Sequence, residues 1–287
     1  MPVTVVTDST SYIPSALRRE LDIRVVMLTT TLDGVTYADD PEECDAFFAA
    51  LTASRSFAQS SLPSVESFRS VFERVLDEGR DVVCVLISRQ LSGTFDAAML
   101  ARDLVLQARP DAVIEMVDGK SNSMELGFAV LEAARAAAAG AAAAEVAAAA
   151  VEMTRHSRFL FTPLTLEYLR RGGRIGGAAA LLGALLQVRP VLTAEGGKTA
   201  IFAKVRSVRR AHDTILHAFA SDLHVHGGLG DAVVQHIAAA DAGRRFAERV
   251  SAIAGRAIEV LPVGPVVGTH VGPGTVGIAY HTIGRLR

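Results

Sequence analysis

Tryptophan is absent from the 287 residues, aromatics make up only 6%, and 29 lysines and arginines fall short of 31 aspartates and glutamates. A general nucleic-acid binder needs a positive surplus to displace counterions, and a single-strand binder needs stacking rings. Neither class is indicated. Cys44 and Cys84 are the only cysteines and lack C-x-x-C spacing, which points to reduced buried thiols and away from a disulfide scaffold or a zinc site. The opening Met1-Pro2-Val3-Thr4-Val5-Val6 has no basic region and meets Asp8 before a signal-type apolar run could form, so a cytoplasmic protein is expected. Also missing are the P-loop spacing, a G-x-G-x-x-G opening a dinucleotide fold, a G-x-S-x-G nucleophile elbow and an H-E-x-x-H pair. Neither a cofactor nor a metal is therefore expected; His224 and His226 stand i, i+2 in a glycine-rich stretch that reads as exposed.

What is present is a chain longer than the ~150 residues of a typical domain, half apolar, with alanine supplying much of that half. Two domains are expected, with a boundary near residue 157. In the first part, strands at 3–7, 24–31, 81–87 and 112–117 alternate with helices at 14–21, 65–78 and 94–107. Such alternation predicts an α/β domain built on a parallel sheet flanked by helices. Polar clusters follow the strands: Asp8-Ser9-Thr10, Ser88 to Thr94, and Asp118 to Ser123. Strand C-termini are where ligands bind in such sheets. Residues 133–150 contain fourteen alanines and predict one long helix, not a membrane span, because Arg135, Glu145 and Glu152 flank or interrupt the run.

After Phe159-Leu160-Phe161-Thr162 the pattern becomes α+β. Helices are expected at 164–171, 178–187, 208–223 and 242–254, and a hairpin joins strands 189–193 and 199–205 through Glu195-Gly196-Gly197-Lys198. Further strands are expected at 231–238, 257–263 and 276–280.

The candidate chemistry sits on three features. Ser92-Gly93-Thr94 at a helix start offers hydroxyls and amides to an anion, with ordinary capping as the alternative. Gln59-Ser60-Ser61-Leu62-Pro63-Ser64 has the same duality. The run Gly264-Pro265-Val266-Val267-Gly268-Thr269-His270-Val271-Gly272-Pro273-Gly274 reads as a ligand loop, its prolines stiffening what its glycines loosen and holding the His270 ring in place. Arginines at Arg170-Arg171-Gly172-Gly173-Arg174 and near Arg206 are suited to bidentate contact with carboxylate or phosphate. A solvated basic face is the better reading for Arg170, Arg209 and Arg210.

Taken in order, Val6-Thr7-Asp8-Ser9-Thr10, Ser60-Ser61-Leu62-Pro63-Ser64, Leu91-Ser92-Gly93-Thr94-Phe95, Asp118 with Ser123 and Gly127, Leu169 to Ile175, Val188 to Leu192, Lys204-Val205-Arg206 and Gly264 to Gly274 resemble the DegV family across essentially the whole chain. That family includes the fatty-acid-binding subunits of bacterial fatty acid kinase. Its usual Thr-Ser-Gln-Pro is Ser-Ser-Leu-Pro here, so Leu62 lacks an amide. The resemblance implies an N-terminal domain over 1–157, a C-terminal α+β domain over 158–287, and one long-chain fatty acid whose tail fills an apolar tunnel and whose carboxylate lies between the domains. By position, Ser61, Ser92, the Gly93 amide and His270 would hold the carboxylate, and Arg174 and Arg206 would be the basic residues near it or at the kinase interface.

On this reading the chain is a carrier without catalytic residues of its own. It takes a fatty acid as ligand, needs no cofactor, has at most transient membrane contact, and works with a separate ATP-dependent kinase that forms the acyl phosphate. A sixteen-carbon tail could contribute roughly 10 kcal/mol before ordering costs, at ~0.8 kcal/mol per methylene. A buried carboxylate, in contrast, needs several hydrogen bonds or a positive partner. The rival readings are a phosphocarrier using His270 and a lipid-sensing regulatory module.

Overall fold

The computed structural model describes residues 1–181 and 188–287. Up to the first helix pair the elements are β1 (Val3–Asp8), α1 (Ser15–Glu20), β2 (Arg24–Val26), β3 (Thr29–Leu32), β4 (Val35–Ala38), α2 (Asp45–Ala53) and β5 (Gln59–Ser61). Then come α3 (Val65–Asp77), β6 (Asp81–Leu86), α4 (Thr94–Ala108), β7 (Ile114–Asp118), α5 (Ser123–Ala138) and α6 (Ala143–His156). The remainder comprises β8 (Ser157–Thr162), α7 (Glu167–Arg171), β9 (Arg189–Glu195), β10 (Lys198–Val205), α8 (Val208–Val225), β11 (Leu229–His236), α9 (Ala240–Ala254), β12 (Glu259–Pro262), α10 (Pro265–Val271) and β13 (Val276–Thr282). The protein is mixed α/β. Its contacts divide it into two compact units: Met1–Thr29 with Ser61–Arg155, and Thr30–Ser60 with His156–Arg287.

Unit 1 is built on a four-stranded parallel sheet in the order β2-β1-β6-β7, with Val6 beside Cys84 and Cys84 beside Met116. Val6, Val82, Cys84 and Leu86 join Phe68, Phe72 and Val75 of α3 and Phe95, Ala98 and Ala101 of α4 in one apolar cluster. Side chains alternate along a strand, so Val5, Val83 and Val85 point the other way, and these are buried too. On that side α5 packs against β1 and β6, with eleven of its sixteen residues buried. A sheet covered on both faces accounts for the unbroken apolar run Val82–Leu86.

Unit 2 contains a six-stranded mixed sheet in the order β10-β9-β8-β13-β11-β12, in which only β11 and β12 pair parallel. One face carries Leu160, Val191, Val234, Ile278 and Tyr280 against Ile215 and Phe219 of α8 and Phe246 and Val250 of α9. A smaller three-stranded sheet, β4-β3-β5, accompanies α2 in the 30–60 segment.

Several expected elements take a different form. The strand expected over 24–31 is two, β2 and β3, because the Leu28 amide donates to Ser9 Oγ (3.1 Å) instead of extending a ladder. The alanine run is likewise two helices, with Gly140 at φ +87° between them. Amides of Gly140 and Ala141 return to the carbonyls of Ala137 and Ala136, which closes α5 as a Schellman cap. Helix α7 starts at Glu167, not 164, since Thr165 Oγ1 takes the Glu167 amide in a local turn that competes with helix. Of the helix expected over 178–187, Gly176–Leu181 forms a 3-10 helix, and 182–187 lie outside the described residues. The glycine and proline run around His270 is not an open loop. It forms α10, with Gly264 at the N-cap, Pro265 in the first turn and Gly272 at φ 92° as the stop.

Asp8 shows how the strand ends of unit 1 are held. It is fully buried; Oδ1 accepts from the Thr10 amide and hydroxyl, and Oδ2 accepts from the Ile87 amide at 2.7 Å, joining the ends of β1 and β6. Burial pushes its carboxyl above the ordinary value, against the opposing pull of these hydrogen bonds. Substituting Asp8→Ala strands two buried amides, so urea unfolding should show a loss of roughly 3 kcal/mol or more. A change below about 0.5 kcal/mol, the range of ordinary surface substitutions, would contradict this role.

Candidate functional site

In unit 1 most polar groups at the strand ends tie loops to each other. Besides Asp8, the Ser88 amide donates to the Ser121 carbonyl (2.9 Å), and Asp118 Oδ1 accepts from the Arg89 amide (3.4 Å). Ser92 lies 2.9 Å, Oγ to Oγ1, from Thr94 and accepts the Thr94 amide at 3.3 Å, so its hydroxyl caps the start of α4. Gly93 is the N-cap residue, and its own amide donates to no described residue. A Cβ on Gly93 would stand 3.2 Å from Leu62 Cδ2, so the Ser61-Leu62 and Ser92-Gly93 segments meet. Leu62 is half exposed there. Ser61 is exposed, and its hydroxyl bonds no described residue. Ser61 and the Gly93 amide thus keep free hydrogen-bonding groups, while Ser92 is partly committed to capping.

In unit 2 the half-buried His270 sits in the last turn of α10, and the 30–60 segment holds that helix from three sides. Buried Asp39 accepts the Val266 amide through Oδ1 at 2.9 Å, capping the helix start. Phe48 presses on Gly268, where a Cβ would fall 2.5 Å from the ring. Ser60 Oγ lies 2.8 Å from His270 Nε2. The opposite nitrogen, Nδ1, is buried without a described hydrogen-bond partner, against Gly172, whose Cβ would stand 2.2 Å away. Glycine at 172 and 268 thus makes room for His270 and Phe48, both side chains of the protein itself.

Burial, reinforced by the positive charge of Arg174, lowers the His270 pKa from 6.5 to about 4. At neutral pH the ring is a neutral hydrogen-bonding group and not a cation. With the proton on Nε2, Ser60 accepts from the ring and keeps its own proton for a further acceptor. Arg174 is exposed and donates through Nη1 to the Gly172 carbonyl (2.6 Å), which anchors it beside the imidazole. Arg170 and Arg171 both bind Glu167, whose carboxyl they hold down at about 2, and Arg171 also stacks over Phe57 at 5.1 Å. Arg206 is exposed just beyond β10 and bonds no described residue.

Sequence reasoning missed Ser60, Asp39 and Phe48. Alternation along β5 was the available signal for Ser60, since neighbouring residues Ser60 and Ser61 face opposite sides and only one can meet the imidazole. Nothing local in the sequence marks Asp39 as the cap of a helix more than two hundred residues away.

A family model described as an uncharacterised protein of the DegV family matches residues 2–282. The chain belongs to the DegV family. A DegV domain-containing protein of Clostridium acetobutylicum is 41% identical over 287 residues, covering 100% of both chains. Among solved structures, a DegV family protein from Thermus thermophilus described by its fatty acid binding is 33% identical with a TM-score of 0.83, over 99% of this chain and 100% of that one. A stearic-acid-binding protein from Eubacterium ventriosum is 25% identical with a TM-score of 0.86, over 96% and 97%. Both similarities span the DegV sheets and helices described above. No described helix is long and apolar enough to cross a membrane.

A histidine held neutral by folding makes stability depend on pH. Between 6.5 and about 4 the unfolded chain takes up a proton that folded His270 refuses, so His270 lowers stability as pH falls through that window. Unfolding free energy plotted from pH 7 to 4 should fall less steeply for His270→Gln than for the parent protein. Parallel curves would show that the ring titrates normally when folded.

Proposed function

We propose that this DegV family protein binds one long-chain fatty acid, its tail in an apolar tunnel, and presents the carboxylate to a separate ATP-dependent kinase that forms the acyl phosphate. The observation that carries the reading is the neutral His270 ring fixed by Ser60 on one side and Gly172 on the other. The ring donates to Ser60, whose hydroxyl is then free to donate to an anion, and neither group carries a charge of its own. The full-length likeness to proteins described as binding fatty acid and stearic acid supports the choice of ligand. Ser61, Ser92 and the Gly93 amide are assigned to the carboxylate together with His270; Arg174 and Arg206 are assigned to the charged head group or the kinase surface. The chain is a carrier and not itself the enzyme, and it acts in the cytoplasm.

The phosphocarrier reading fares less well. A phosphohistidine needs a ring nitrogen open to in-line attack; here Nε2 is engaged by Ser60 and Nδ1 is backed by the Gly172 backbone.

Organic extraction or native mass spectrometry of protein purified from cells should reveal a bound fatty acid. An empty protein that also fails to take up added palmitate or oleate would overturn the proposal. The residue roles have a separate readout: His270→Ala and Arg206→Ala should lower kinase-dependent phosphorylation of the fatty acid more than they lower lipid binding. Normal turnover by both variants would refute those roles.

A further inference from the structure

Unit 1 carries a cleft of about 510 Å³ between the end of α1, the start of β2 and the C-terminal half of α3, lined by none of the residues assigned above. Four arginines line it: Arg18, Arg19, Arg24 and Arg74. Arg24 is spoken for, its guanidinium meeting Asp22 at 3.1 Å and Glu78 at 3.1 Å. Asp22 in turn is shared with Arg80 at 2.6 Å, so its charge is already offset. The side chains of Arg18, Arg19 and Arg74 form no ion pair or hydrogen bond with any described residue. Arg18 Nε is moreover buried without an acceptor.

Arg19 and Arg74 are exposed at the mouth of the cleft and Arg18 is half-buried in it, where a buried donor without an acceptor costs stability. The chain as a whole has net charge -2, so this is a local concentration and not a general basic surface. Guanidinium is the group best matched to the oxygens of phosphate. Partly exposed Val25 and Val71 supply an apolar wall in the same cleft, against which the body of an organic molecule can lie. We infer that this cleft is an anion site for an organic phosphate, with the phosphoryl oxygens on Arg18, Arg19 and Arg74 and the organic portion against Val25 and Val71. It lies wholly within unit 1 and is independent of the fatty-acid reading.

The test is isothermal titration of the full-length protein with pyrophosphate and with adenosine triphosphate, and flotation with vesicles containing phosphatidic acid. Saturable binding that weakens with added salt is expected. Arg18→Ala with Arg74→Ala should weaken it by about tenfold or more, as loss of a charge-assisted contact does. Arg209→Ala with Arg210→Ala, an exposed basic pair elsewhere, should bind as the parent does. Should the double variant fold poorly, the single Arg19→Ala replaces it and is expected to weaken binding in the same direction. Binding of the soluble phosphates assigns the site to a free ligand, whereas binding of the vesicles alone assigns the same phosphate chemistry to a lipid head group. Absence of saturable binding by all three probes, or equal binding by the arginine variants, overturns the inference.

Discussion

The structure of unit 2 depends on a clamp made by residues 30–60. Helix α10 is only seven residues long, and a helix of that length has no independent stability in water. Its start is closed by Asp39, its middle is pinned by Phe48 at Gly268, and its histidine is fixed by Ser60. Each contact comes from a segment separated from α10 by more than two hundred residues. The position of the imidazole is thus a property of tertiary packing, and the glycines on which the run is so rich serve chiefly to admit neighbouring side chains.

The same division between structural and available polar groups runs through unit 1. Asp8 and Ser88 look like ligand residues in a parallel-sheet protein, yet their hydrogen bonds join one loop to the next. Among the groups left uncommitted are the Gly93 amide, the Ser61 hydroxyl, and the guanidinium groups of Arg18, Arg19 and Arg74 in the α1–α3 cleft. A buried polar group that is fully bonded rigidifies a fold, and one that is not has to be matched by something from outside it.

The alternating strands and helices of unit 1 were legible because a sheet buried on both faces demands continuous apolar runs such as Val82–Leu86. The hairpin of β9 and β10 was legible from Gly196-Gly197, both at positive φ in the turn. The family was legible from short motifs in order. Less visible were the interruptions, where a single hydrogen bond such as that from Leu28 to Ser9, or a single left-handed glycine such as Gly140, overrides a propensity that would continue the element. Least visible was everything tied to the 30–60 segment. Its partners are far along the chain, and no periodicity records which distant helix an aspartate will cap. Reading α10 as a loop followed from the same gap: glycine and proline signal loops when seen alone, and a helix end when Asp39 and Phe48 are in place.

The chain visits unit 2, leaves it at Ser61 and returns at His156. During synthesis, residues 30–60 therefore emerge from the ribosome and wait while 61–155 are made, several seconds or more at ~5–20 residues per second. All the residues of unit 1 are present once Arg155 has been made. Phe48, buried in the finished protein against Gly268, must meanwhile wait for a helix that has not yet been made. The order in which the residues of the two units can be completed follows from that one detour.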